Sequence, residues 1–289
     1  MPAELIDGKA IAVRIREEVT RRAAALREAG RPVQLAAILI GQDAAAMSYS
    51  ASQAKNAAAV GIAYRLVNLP VTASQSDARQ AIENLNRDPA VNGIMLHMPA
   101  PKPLDGFALQ QAIAAEKDVE GVGAKNLGLL AMGRAALVPC TAAAAFACLK
   151  STGVEIAGKE AVVIGRSVIV GKPLAMLLLS AHATVTQCHT RTRDLAGHTR
   201  RAEILFAAAG AAGIIGAEHV SPGAIVIDVG THRVPSVDDP SRLRTVGDVR
   251  FDEVVNVASR ITPVPGGVGP VTVAMLLENT VAAAERKPG

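Results

Sequence analysis

Apolar and polar positions along the chain follow two rhythms, one of period near 3.6 and one of short unbroken apolar runs. In residues 11–29 the apolar positions Ile11, Val13, Ile15, Val19 and Ala23 or Leu26 recur near helical spacing among arginines and glutamates. That pattern predicts an amphipathic helix, ended by Gly30 and Pro32. Residues 33–40 are nearly all apolar and closed by Gly41, which predicts a buried strand. An alanine-rich helix is expected over 44–61, a strand over 63–69, a helix over 76–87 and a strand over 91–98. A proline-rich loop over 99–103 and a helix over 107–115 follow. Strand and helix therefore alternate, which implies an α/β layer with a largely parallel sheet. Thr141 reads as the N-cap of a helix over 142–150 that bridges to a second domain.

The alternation resumes with strands expected at 161–164, 183–187, 204–208 and 224–229. Prolines and glycines crowd residues 263–270, which predicts an irregular rigid loop before an apolar helix over 273–284. Close backbone approach to a ligand is a second use for those glycines.

Composition narrows the classes. The chain has 289 residues, half of them hydrophobic, enough for one large or two ordinary domains with a large core. No apolar run reaches the length of a membrane span, and the N-terminus carries early acids where a secretory signal would be apolar. The net charge of +4 is modest, and four Phe and two Tyr are too few to stack bases, so nucleic acid is not expected as a partner. Cys140, Cys148 and Cys188 cannot all pair and lack metal-ligand spacing. Reduced thiols in a cytoplasmic protein, with no metal, are expected.

The chemistry concentrates first at residues 161–173, AVVIGRSVIVGKP. An apolar run, Gly165, Gly171 and a second apolar run spell a buried strand, a tight turn and a helix start, the arrangement that cradles a phosphate. The spacing is G-x-S-x-x-x-G, with Ser167 where a second glycine is usual. About twenty residues on, where an NAD site places an acid, the chain reads Cys188-His189-Thr190-Arg191-Thr192-Arg193. Two arginines and hydroxyls there, with Arg166 in the turn, suit a 2′-phosphate, so NADP is expected over NAD. On the helix over 44–61, Tyr49, Gln53 and Asn56 share one face, which by itself is an ordinary polar face meeting solvent.

Together these motifs resemble the methylenetetrahydrofolate dehydrogenase/cyclohydrolase family of one-carbon metabolism, bacterial type. The resemblance is carried by Tyr49, residues 117–121 with Asn126-x-Gly128, and Pro139-Cys140-Thr141. VVIGRSVIVGKP, ATVTQCHTRT, IDVG, GDV and ITPVPGGVGPVT continue it. It implies two α/β domains around a cleft, 1–141 with 270–289 for folate and catalysis and 142–269 as a Rossmann-like NADP domain, usually assembled as a homodimer. It implies hydride transfer from methylenetetrahydrofolate to NADP, then hydrolysis of the methenyl product. By position, Tyr49 borders the pterin and aminobenzoate, and Glu120 grips the pterin. Pro265, Gly266, Gly267 and Thr272 border folate and nicotinamide. Gly165, Arg166, Ser167, Ile169, Gly171, His189, Thr190, Arg191 and Thr231 would hold NADP.

The chain departs from the family pattern mainly at the folate end. The family's lysine four residues after the tyrosine is Gln53, the glutamine of its QLP motif is His97, and the second aspartate of its DVDG is Glu120. Ala46, Ala142 and Ala144 replace a serine, a proline and a glycine. Hydride transfer needs alignment and no proton donor. Hydrolysis needs a titratable group, and Gln53 is not one. The expectation is thus an NADP-dependent dehydrogenase whose cyclohydrolase step is weak or absent, with Tyr49, Gln53, His97 and Glu120 at the catalytic centre. The alternatives are a full bifunctional enzyme in which His97 or a water chain replaces the lysine, a shift to another one-carbon carrier or modified pterin, and a non-catalytic NADP-binding regulator.

Overall fold

The computed structural model describes residues 1–41, 44–236 and 241–286. The chain divides into two compact units, Met1–Val13 with Thr141–Thr272, and Arg14–Cys140 with Val273–Gly289. It opens with strand β1 (Glu4–Leu5) and helix α1 (Gly8–Glu28).

The unit of residues 14–140 is built on strands β2 (Gln34–Ile40), β3 (Ala63–Leu69) and β4 (Gly93–Leu96), in the order β3-β2-β4 and all parallel. Strand β2 is central and buried from Leu35 to Ile40, which is why its sequence is an apolar run rather than an alternation. Between the strands lie α2 (Ala44–Ala59) and α3 (Gln75–Arg87), followed by α4 (Gly106–Gln111) and α5 (Ala124–Ala131). Ser74 and Asp77 form a reciprocal capping box that starts α3. One face of the sheet packs Leu35, Ala37 and Met95 with Val19, Leu26, Ala57, Val60, Leu277 and Val281. The other packs Ile38, Ile94 and Leu96 with Ile82 and Leu85. Each such side chain contributes about 1.5–3 kcal/mol by leaving water.

The second unit holds α6 (Cys140–Lys150), β5 (Glu160–Ile164), α7 (Gly171–Ser180), β6 (Thr184–Cys188), α8 (Leu195–Thr199), β7 (Ile204–Ala207) and β8 (Ile225–Asp228). Then come β9 (His232–Pro235), β10 (Leu243–Val246), α9 (Phe251–Val254), β11 (Arg260–Ile261) and α10 (Val268–Arg286), which belongs to the unit of residues 14–140 from Val273 onward. The main sheet runs β1-β11-β8-β7-β5-β6, every pair parallel, and β9 with β10 forms a separate antiparallel hairpin. This is the expected α/β, Rossmann-like architecture.

Three expectations need correction. Residues 1–13 cluster with the six-stranded unit, not with the first domain. The cause is main-chain pairing: Glu4 donates to Ser259 and Ile6 to Ile261, both at 2.9 Å, and Arg260 Nε reaches Glu4 at 2.8 Å. Thr141 lies inside α6 rather than capping it. The loop over 263–270 ends early, because α10 already starts at Val268. Pro270 then sits in the first turn, where its missing N–H removes no helix bond.

Candidate functional site

The order β3-β2-β4 means that the chain leaves β2 toward one side and enters β4 on the other. Open parallel sheets place ligands at the carboxyl ends of the strands at such a switch. A cavity of about 780 Å³ lies there, lined by Leu39, Ile40 and Gly41 at the end of β2, by residues 95–101 at and beyond the end of β4, and by Tyr49, Val71 and Glu120. Its size and mainly apolar wall with a few polar groups fit a small organic ligand.

Three polar side chains meet in it. The Tyr49 and His97 rings contact edge to face, with centroids 5.9 Å apart. His97 is 8 % exposed, and its Nε2 has no hydrogen-bond partner among the described residues. Burial lowers the imidazole pKa, so the ring is neutral at neutral pH. The local hydrogen bond otherwise expected for a strand-end histidine is thus missing at that nitrogen. Glu120 accepts from the Leu96 N–H at 3.4 Å. Burial pushes its carboxyl up to about 7, with the neighbouring Asp118 adding to the rise. A carboxyl that titrates near neutrality, in a cavity beside an unpartnered imidazole, is suited to moving protons.

The acid-rich stretch that supplies Glu120 separates by role. Asp118 is 1 % exposed and accepts from the Gly121 and Gly123 N–H groups and from Asn126 Nδ2. Lys117 Nζ donates to the carbonyls of Leu85, Asn86 and Asp88 at 2.7–2.9 Å, where α3 ends. Both fold the loop, and Glu120 is the member that lines the cavity.

Gln53 is corrected in place. It is 4 % exposed beside the buried Ser50 and Ala57, so Gln53 packs inward instead of meeting solvent, while Tyr49 of the expected face is half exposed and Asn56 half-buried. Gln53 does not line the cavity and lies one helical turn after Tyr49 on α2, its i,i+4 neighbour. The residue that sequence reasoning missed is Tyr64 on β3, whose hydroxyl lies 2.9 Å from Ser50 Oγ and 3.5 Å from Gln53 Oε1. Its one sequence signal is that Tyr49 and Tyr64 are the only tyrosines.

The second site lies in the other unit, at a second switch point. Strand β5 has β6 on one side and β7 on the other, and the turns after β5 and β6 share the carboxyl edge of the sheet. Gly165 has φ +120°, and a Cβ there would strike the Ala208 carbonyl oxygen, while one on Gly171 would strike the Gly165 carbonyl oxygen. Only glycines let the turn and the start of α7 come this close. Helix α7 has no side-chain cap, and Ser167 Oγ accepts from the Val170 N–H at 3.1 Å. Arg166, Ser167 and Ile169 are exposed on this turn.

Facing them after β6, the His189 N–H donates to Thr192 Oγ1 and His189 Nδ1 accepts from the Arg191 N–H, a turn that leaves Thr190 and Arg191 exposed. Neither Arg166 nor Arg191 is in an ion pair among the described residues. A cradle that a Cβ would fill, beside unpaired guanidinium groups, fits the phosphates of NADP, the 2′-phosphate included. Thr231 is exposed after β8 on the same edge. Two buried aspartates tie the neighbouring loops. Asp228 accepts from the N–H groups of Gly230, Asp248 and Val249, and Asp248 from those of Ala209, Gly210 and Ala211 and from His232 Nε2.

Pro265, Gly266, Gly267 and Thr272 belong to this unit and not to the unit of Tyr49 and Glu120. Gly266 has φ +111° and Pro265 is exposed. Gly267 is buried, so close that a Cβ on Gly8 would strike its carbonyl oxygen. The Thr272 hydroxyl donates to the Val268 carbonyl at 3.2 Å within α10.

Comparison with known proteins covers both units. Residues 6–120 match the tetrahydrofolate dehydrogenase/cyclohydrolase catalytic domain, and residues 139–288 the NAD(P)-binding domain of the same family. The bifunctional protein FolD 1 of Rubrobacter xylanophilus is 48% identical over 98% of this chain and 97% of its own length. The crystal structure of the bifunctional enzyme FolD from Campylobacter jejuni superposes with a TM-score of 0.93 at 39% identity, covering 98% of this chain and 99% of that one. The Trypanosoma brucei methylenetetrahydrofolate dehydrogenase-cyclohydrolase, complexed with NADP and an inhibitor, gives a TM-score of 0.91 at 40% identity over 99% and 98% of the two chains.

Proposed function

The chain belongs to the tetrahydrofolate dehydrogenase/cyclohydrolase family, and from that premise we propose that it is a cytoplasmic, homodimeric enzyme that oxidises 5,10-methylenetetrahydrofolate with NADP and then hydrolyses the methenyl product. The relatives named above as bifunctional support both steps, rather than the weak or absent second step expected from Gln53 alone. NADP, held by Arg166, Thr190, Arg191 and the Gly165 turn, supplies the hydride acceptor.

The observation that carries the reading is the cavity that joins Tyr49, His97 and Glu120. Tyr49 and the apolar wall order the ring system. The ionised Glu120 carboxylate accepts from a paired N–H and amino group such as a pterin presents. The hydrolytic step needs a group that gives and takes a proton near pH 7, and the neutral His97 imidazole, with Nε2 open, is one. Position 53 therefore does not have to be a lysine.

A second reading, a dehydrogenase without hydrolysis, is favoured by one observation. Gln53 is buried and carries no proton at neutral pH. Purified protein given methylenetetrahydrofolate and NADP tests the first step by NADPH formation. Methenyltetrahydrofolate given alone tests the second by its rate of loss against the spontaneous rate. Sedimentation of the same sample tests the dimer.

A further inference from the structure

Ser50 and Gln53 are polar, one turn apart on the inner face of α2, 2 % and 4 % exposed, and neither lines the cavity. A buried hydroxyl or amide without a partner is destabilising. The Tyr64 hydroxyl meets both, at 2.9 Å from Ser50 Oγ and, at the long limit of a hydrogen bond, donating to Gln53 Oε1 at 3.5 Å. With the amide oxygen turned to Tyr64, the amide NH₂ is the end left for Tyr49, the neighbour one helical turn earlier on α2.

We propose that Tyr64 is a positioning residue for Tyr49 and acts through Gln53. This rests on the reading above, in which Tyr49 borders the substrate. The hydrogen bonds run in one direction. Ser50 donates to Tyr64, Tyr64 to the Gln53 oxygen, and the Gln53 NH₂ to the Tyr49 oxygen, so the Tyr49 proton is left to point into the cavity. A lysine at position 53 has three donors and no acceptor, so it could not receive the Tyr64 proton. Gln53 and Tyr64 thus work as a pair. Because neither titrates near neutrality, the direction of the chain holds across that range.

The composition allows a direct test. Carbon-13 placed at tyrosine Cζ gives two resonances for the whole chain, since Tyr49 and Tyr64 are its only tyrosines, and Tyr49→Phe assigns them. The proposal expects Tyr64→Phe to move the Tyr49 resonance in the direction that Gln53→Ala moves it. It also expects kcat for methylenetetrahydrofolate oxidation to fall about fivefold, the worth of one neutral hydrogen bond, with KM for NADP unchanged. A Tyr49 resonance that stays put in Tyr64→Phe overturns the proposal, and so does one that moves while kcat does not. If Tyr64→Phe does not fold, Ser50→Ala, which removes only the outer anchor, decides by the same two readings. A wild-type protein that oxidises no methylenetetrahydrofolate refutes the proposed function instead, and the resonance alone then judges the role of Tyr64.

Discussion

Replacing Glu120 with Gln removes a charge whose presence burial opposes. The carboxyl rises from 4.5 to about 7 because burial opposes its ionised form. The folded chain therefore holds a proton there that the unfolded chain has already released between those values. The stability tied to that proton is fully present below pH 4.5 and is lost as pH rises through about 7. At about 1.4 kcal/mol for each tenfold change in the proton equilibrium, the loss comes to about 3 kcal/mol. Gln keeps the oxygen that accepts from the Leu96 N–H and carries no charge. Glu120→Gln should thus melt at the parent's temperature near pH 4.5 and roughly 6–12 °C above it at pH 8. Differential scanning calorimetry of the pair across that range is the assay. A difference that does not change with pH, or a less stable Gln variant at pH 8, would refute the reasoning.

The same carboxyl sets substrate affinity: KM for methylenetetrahydrofolate should rise about tenfold per pH unit below 7 and level off above, and a flat profile in steady-state kinetics would separate Glu120 from the pterin. Arg166→Ala should weaken NADP by about 10- to 100-fold in calorimetric titration while NAD changes little, since charge-assisted bonds to a phosphate contribute about 1.5–3 kcal/mol. Gly165→Ala should abolish NADP binding and lower the melting temperature, because its Cβ meets the Ala208 carbonyl oxygen at a φ of +120°; tight NADP binding by that variant would count against the cradle.

Much of the fold could be read from the chain because its central strands are buried apolar runs. Residues 34–40 and 161–164 stand out in this way, and the Gly165 turn announces its own use. What could not be read is what depends on contacts across distant elements. Strands β1 and β11 are two residues each and exist only through each other and β8. The burial of Gln53 follows from the packing of α2 on β3, which helical periodicity alone does not reveal, and Tyr64 went unnoticed for the same reason. In residues 117–120 the charges look alike in sequence. Only the structure sends Lys117 to the end of α3, Asp118 into its own loop and Glu120 into the cavity.

Gln53 and the bifunctional relatives point in different directions on the second step, and one experiment weighs them. NADPH and methenyl absorbance are followed together while wild-type protein turns over methylenetetrahydrofolate and NADP. NADPH should accumulate while methenyl is consumed faster than it hydrolyses unaided, and His97→Ala should remove that excess. Methenyl that builds up with NADPH and decays only at its spontaneous rate would contradict that expectation and leave a dehydrogenase alone.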